Sequence, residues 1–239
     1  MYDQASNDVM KKNMFILLLI FLVFSAYAAW GEERVCPSDM VKIDSYCIDM
    51  FEAPNKPYEK PLVMFSFVES EAWCENQGKR LCYDDEWTKA CKGPEKYEWS
   101  YGDNYKKGYC NTDKIWKRYS GSKLGNWKKT ISTPDMQTLD GLFYKAVEEN
   151  SKTAAEHVLA LYQADPSGDN IACFSTYGVY DLIGNVEEWT QRRNYTKRSF
   201  RGNLKGRFWA EPRSCSQSVK NHGDLFRFYE IGFRCCKSL

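Results

Sequence analysis

The sequence is short of histidine and of any excess of charge. Its 239 residues include only 2 His, and 33 Lys and Arg stand against 32 Asp and Glu. The balance leaves no basic field for nucleic acid and no acidic field for cationic partners. No C-x-x-C pair occurs, and with so few histidines the usual zinc ligand sets are missing. No Pro/Ser-rich linker, internal repeat or low-complexity tract divides the chain, which at this length can bury a sizeable core, so a single folded domain is expected. Beyond residue 30 no segment approaches the about 20 apolar residues that cross a bilayer.

What is present begins with a leader. Lys11-Lys12 precede an apolar run from Met14 to Phe24, and Ala26-Tyr27-Ala28 follows as a small-x-small cleavage site. That order is a secretory signal peptide. Residues 1–28 are assigned to it, and 29–239 to the mature domain, with no stable membrane anchor after cleavage; the competing reading is a retained anchor. Met10, directly before the lysines, is the more usual kind of start, which would make residues 1–9 an extension. No cysteine lies at the cleavage point, so a lipoprotein is not indicated. All 10 cysteines lie beyond the leader and suit an oxidising compartment, so the expected location is secreted or periplasmic. Spacing alone does not choose among pairings, although Cys36–Cys47 would close a short local loop.

Residues 36–51 are rich in Val, Ile, Tyr and Phe and alternate loosely, predicting a strand pair. A helix is predicted from Glu69 to Gln77, stopped at Gly78. A second carries Trp87, Ala90 and Cys91 on one face and stops at Gly93-Pro94. From Leu139 to Tyr162 the apolar spacing predicts two helices or one broken at Asn150-Ser151, with His157 on the polar, solvent-exposed side. From Cys173 onward the chain is aromatic and turn-rich, which predicts short strands and ordered loops.

Six motifs occur in order: "AWCENQGKRLCYDDEWTKACKG", "YEWSYGD", "YCN", "YGVYDLIGNVEEWT", "RGN" and "IGFRCC". Together they resemble the formylglycine-generating enzyme, or sulfatase-modifying factor, family over about residues 36–236. The resemblance implies a single α+β domain of the C-type-lectin-like kind, loop-rich, with short strands and a few helices, stapled by disulfides. It implies the pairs Cys74–Cys235 and Cys91–Cys215. Cys82, Cys110, Cys173 and Cys236 are then left over, with Cys82–Cys110 the guess among them.

The resemblance also implies structural Ca²⁺ in the "YGVYDLIGNVEEWT" loop. Asp181 and Glu188 would supply carboxylate oxygens, and Gly184 and Val186 main-chain carbonyls, the hard ligands that calcium takes. The plain alternative is a turn capped by Asn185, with solvated acids and a packed Trp189. A second family calcium site would include Asn111.

Family chemistry oxidises a substrate cysteine with copper(I) held by two cysteines five residues apart. Counting back from Cys215, those positions carry Lys205 and Ala210. Copper is therefore not expected, because soft thiolates are what it requires. Iron is not expected either, since the related sulfoxide synthases use three histidines on a further helical domain. No Ser-His-Asp order, phosphate loop or paired-carboxylate motif stands out, and no catalytic residue is assigned.

Trp209, Arg213 and His222, amid Arg207, Phe208, Phe226, Phe228 and Tyr229, are the candidate binding residues, because aromatics beside Arg and His combine contact area with oriented donors. The plain alternative is aromatic core filling. The expected function is an exported, calcium-stabilised module that binds a protein or glycan and no nucleic acid. The rivals are an oxidoreductase acting on a protein or peptide through Trp209, Arg213 and His222, and a structural envelope component.

Overall fold

The computed structural model describes residues 35–128 and 131–239; the expected leader, 1–28, lies outside the described residues. Strands β1 (Met40–Ile43) and β2 (Tyr46–Asp49) form an antiparallel hairpin. Asp44 turns it in the left-handed region, φ 49°, which Asp tolerates better than most residues. Helix α1 (Phe67–Asn76) begins two residues before the sequence prediction, because Ser66 and Glu69 form a reciprocal capping box. Strand β3 (Arg80–Leu81) leads into helix α2 (Asp84–Lys92), whose first turn is acidic and whose last turn is basic, complementing its dipole. Trp87, Ala90 and Cys91 are its buried face.

A single helical turn, α3 (Gly121–Leu124), precedes α4 (Leu139–Glu148) and α5 (Lys152–Leu161). The break between the last two falls at Asn150, which is left-handed at φ 63°. Beyond Leu161 there are only strands and loops: β4 (Glu187–Gln191), β5 (Gly202–Lys205), β6 (Ile231–Phe233) and β7 (Cys235–Ser238).

Two small sheets result. One has the order β1-β2-β7-β3, all antiparallel; in the other, β4 lies between antiparallel β5 and parallel β6. Arg234 alone separates β6 from β7, so this one residue joins the sheets. The described chain from Cys36 onward is one compact unit. The larger apolar cluster packs α1, α4 and α5 against the β4-β5-β6 sheet, and a smaller one gathers six cysteines around Trp87. Among the described residues no helix is long and apolar enough to cross a membrane.

Every cysteine is in a disulfide: Cys36–Cys47, Cys74–Cys235, Cys82–Cys236, Cys91–Cys215 and Cys110–Cys173. The Cys82–Cys110 expectation is corrected. Pairing of β3 with β7 sets Arg80 opposite Cys236, bringing Cys82 to that strand, while Cys110 meets Cys173. His157 is also not simply solvent-facing: it is half-buried, and its Nε2 accepts a hydrogen bond from the Ser120 amide at 2.8 Å.

Candidate functional site: a sealed ion network beside a lysine cleft

The loop 177–190 is shaped by left-handed residues at Gly178, Asp181, Gly184 and Asn185. At Gly184 the need is also steric, since a Cβ would lie 2.3 Å from the Asn111 carbonyl oxygen. Asn185 is fully buried and acts as a hub. Its Oδ1 accepts from Asn111 Nδ2 (2.9 Å) and the Asp165 amide (2.8 Å), and its Nδ2 donates to Glu52 Oε1 (2.9 Å). Trp189 is buried too, donating from its indole to the Phe65 carbonyl at 3.1 Å.

Glu188 points inward from β4. Its carboxylate takes a two-point contact from Arg234, Nε to Oε2 at 2.7 Å and Nη2 to Oε1 at 2.6 Å, and Oε2 also accepts from the Trp87 indole at 2.8 Å. Arg234 spends its remaining donors on the carbonyls of Tyr180, Asp49 and Met50. Asp181 Oδ2 accepts from the Gly168 amide at 2.7 Å, whereas its Oδ1 is buried without a hydrogen-bond partner. Glu52, also fully buried, accepts from Ser167 Oγ at 2.7 Å.

Three carboxylates thus surround one guanidinium out of reach of water. Burial, followed by repulsion from Glu52, drives the Asp181 carboxyl well above the usual carboxylate range. Burial, opposed by Arg234, pushes Glu52 up to about 7.

Of the residues expected to hold calcium, Glu188 is closed by Arg234 and Trp87, and Asp181 keeps one free oxygen. Gly184 and Val186 lie between them in the same loop. Among the described residues, no three His, Cys, Asp or Glu side chains converge on a common cation position.

The candidate binding residues have separate partners. Trp209 is fully buried and packs against Tyr162, Phe208 and Tyr229, which makes its ring part of the core. Arg213 is ion-paired with Glu187. His222 stacks on Phe226, ring centroids 4.0 Å apart and planes within 9°, and burial holds its imidazole below the ordinary value.

Lys205 ends β5 and is the register partner of Glu188. Its ammonium lies 5.2 Å from the centre of the Trp87 ring and donates to the Cys215 carbonyl at 2.8 Å. One indole therefore has a carboxylate at its N–H and a cation over its face. Lys205 is 3% exposed. It lines a cleft of about 680 Å³ between α2 with its following turn and residues 203–220, together with Lys89, Lys92, Lys96 and Lys220. Burial, reinforced by Lys220, Arg213 and Lys92 and opposed by Asp84, lowers its amine to about 8. Ala210 is half-buried against the larger apolar cluster.

Sequence reasoning reached Lys205 only as the occupant of a missing cysteine's place. Lys89 and Lys92, one helical turn apart, were the available signal for the cleft. Lys220, far along the chain, left none, and Asn203 stood out only as the last residue of the "RGN" motif.

A disulfide-stapled α+β domain of two small sheets locked by a buried Arg–Glu pair is the class defined by these features. The chain belongs to the sulfatase-modifying factor family: the model of the "Sulfatase-modifying factor enzyme 1-like domain" matches residues 26–239. It is 23% identical over 203 residues to "Uncharacterized protein YfmG" of Bacillus subtilis (strain 168), covering 75% of this chain and 36% of that protein. The chain thus matches about a third of that relative's length. Among solved structures, CarF has a TM-score of 0.50 at 14% identity, covering 81% of this chain and 86% of its own, a likeness of fold alone. PvdO from Pseudomonas aeruginosa has a TM-score of 0.48 at 14% identity, covering 81% of this chain and 80% of its own.

Proposed function

We propose that this protein is an exported binding module of the sulfatase-modifying factor family that does not generate formylglycine. The observation that carries the reading is the chemistry at positions 205 and 210. A copper(I) site needs two soft thiolates, whereas here one position holds an ammonium tied to the Cys215 carbonyl and the other a methyl group. The cysteines elsewhere are all bound in disulfides, which leaves no thiol to take their place. Five disulfides agree with work in an oxidising compartment.

The test is direct: oxidised protein, copper(I) and a Cys-x-Pro-x-Arg peptide, followed by mass spectrometry. The expected result is an unchanged peptide, and conversion of its cysteine to formylglycine would overturn the reading. Export is tested by the amino terminus of the mature protein, expected at Ala29.

Calcium belongs to this proposal as a structural ion. Asp181 Oδ1 suits a hard cation because it is buried and lacks a donor. Main-chain oxygens of Gly184 and Val186 would complete the loop's contribution, while Glu188 would first have to leave Arg234. Chelation with EDTA is expected to lower the melting temperature, and an unchanged melt over millimolar EDTA and calcium would remove the ion from the account.

A further inference from the structure

The lysine cleft carries more positive charge than the described residues pair. Of its five lysines, Lys89 is paired with Asp44, and Lys92 approaches Glu98 at 3.8 Å. Lys96, Lys205 and Lys220 have no ion pair among the described residues. The five lysines outnumber the two acids of the lining, although Asp84, which has no ion pair among the described residues, opposes the field of the lysines at Lys205. Asp85 is held by Arg193 at 2.9 Å, and Asp84 Oδ1 accepts from the Asp85 amide at 3.0 Å and more loosely from the Arg193 amide at 3.4 Å.

Lys205 has three donors and uses one within the chain, on the Cys215 carbonyl. Beside it, Asn203 also lines the cleft; it is 1% exposed, and its side-chain oxygen has no hydrogen-bond partner. A buried amide left unpaired is costly unless something else satisfies it. The orphaned atom is an acceptor, so it suits a hydroxyl of a ligand rather than an anionic oxygen. Ser216 and Ser218 complete the polar wall.

We propose that this cleft binds a tetrahedral oxyanion carried as a sulfate or phosphate ester, with Lys205 and Lys220 as its charge partners and Asn203 Oδ1 as the acceptor for a hydroxyl of the ester's alcohol portion. The donor types select the anion. Ammonium groups are compact charges with freely turning donors, and with hydroxyls they suit an anion presenting oxygens in several directions. The lining contains no arginine, whose planar fork is the usual match for a carboxylate. The open mouth leaves room for the alcohol portion of the ester, as expected for a cleft of ligand size.

The inference gives a ligand chemistry to the binding module proposed above and rests on that reading. Its test is calorimetric titration of the oxidised full chain with inorganic sulfate, inorganic phosphate, glucose 6-sulfate and glucose 6-phosphate, at constant ionic strength set with chloride. Saturable binding of at least one sulfate or phosphate arm is expected, and the preferred arm separates the two esters. Lys205→Met should weaken it about tenfold and Lys220→Met about three- to tenfold; each removes one charge contact in a partly shielded site. Lys220 is exposed, so its variant keeps the test valid should Lys205→Met fail to fold.

No saturable binding in any arm, or binding unchanged in Lys220→Met and in a folded Lys205→Met, would overturn the proposal. Binding of chloride with equal strength would overturn it as well, by reducing the effect to screening. The two readings fail separately. Formylglycine formation with sulfate still bound would sink the module and spare the cleft, whereas an inert peptide with no anion bound would sink the cleft alone.

Discussion

The two sides of Trp87 carry opposite electrical problems and solve them differently. Toward its indole N–H lie Glu188, Glu52 and Asp181 around Arg234, an excess of negative charge sealed from water. Toward its ring face lies Lys205, at the wall of a cleft where Lys96 and Lys220 also have no ion pair among the described residues. The sealed side exchanges charge among fixed partners and so acts as structure. The open side leaves donors unspent and so can act on something else.

The comparison can be broken most severely at Arg234. Replacing Arg234 with Met strands the buried Glu188 carboxylate and removes the side chain that ties the junction of β6 and β7 to β4. A loss of about 3–5 kcal/mol is expected in urea unfolding, the range for losing one partner of a buried pair; a loss under about 1 kcal/mol would show that the network is not structural.

On the other side the sign reverses. Lys205→Met removes an ammonium that burial disfavours, so stability near neutral pH should rise by about 1 kcal/mol, after allowing for the lost bond to the Cys215 carbonyl. The pH dependence sharpens this. Folding lowers the Lys205 amine to about 8, so between that value and its ordinary one the unfolded chain binds more protons and stability rises with pH. The advantage of Lys205→Met should therefore shrink as pH increases from about 8 to about 10.5. Around Lys205, Asp84 opposes that lowering, while Lys220, Arg213 and Lys92 reinforce it.

Glu52 gives the opposite slope. Its carboxyl is raised from 4.5 to about 7 by burial, so in that window the folded chain holds the extra proton and stability falls as pH rises. Glu52→Gln should flatten the wild-type decline between those values, as read by unfolding at each pH. The smallest effect belongs to the cleft rim. Lys96→Ala, at an exposed position, should shift stability by no more than about 0.5 kcal/mol.

Local chemistry was legible in the sequence where it was spent locally. Gly78 and Gly93 mark the ends of α1 and α2, and Asn150-Ser151 marks the break between α4 and α5. The capping role of Ser66 escaped notice although its partner Glu69 stood three residues on, which is why α1 starts earlier than expected. The ion network was half legible: Asp181 and Glu188 stood out in one loop, but Glu52 lies more than a hundred residues earlier and is tied to that loop by its bond to Asn185. Trp209 looked like a binding residue because aromatics beside arginine suit both a cleft and a core, and only its burial separates the two. Asn203 stood in the "RGN" motif but pointed to no cleft, because an amide on a short strand is ordinary until its lack of a partner is seen.

The adjacent cysteines 235 and 236 bind opposite ways, to α1 through Cys74 and to the end of β3 through Cys82. With Cys91–Cys215, three bridges span 124 to 161 residues. During synthesis the early members of all three emerge long before their mates. At about 5–20 residues per second they wait on the order of ten seconds as thiols close to one another in sequence. Cys74, Cys82 and Cys91 can meanwhile pair among themselves, and each such bridge must be undone by thiol–disulfide exchange before β7 can be accepted between β2 and β3. Native pairing is therefore expected to finish only with the last strand, and the oxidative folding yield of the reduced chain should depend on a disulfide isomerase more than on an oxidant.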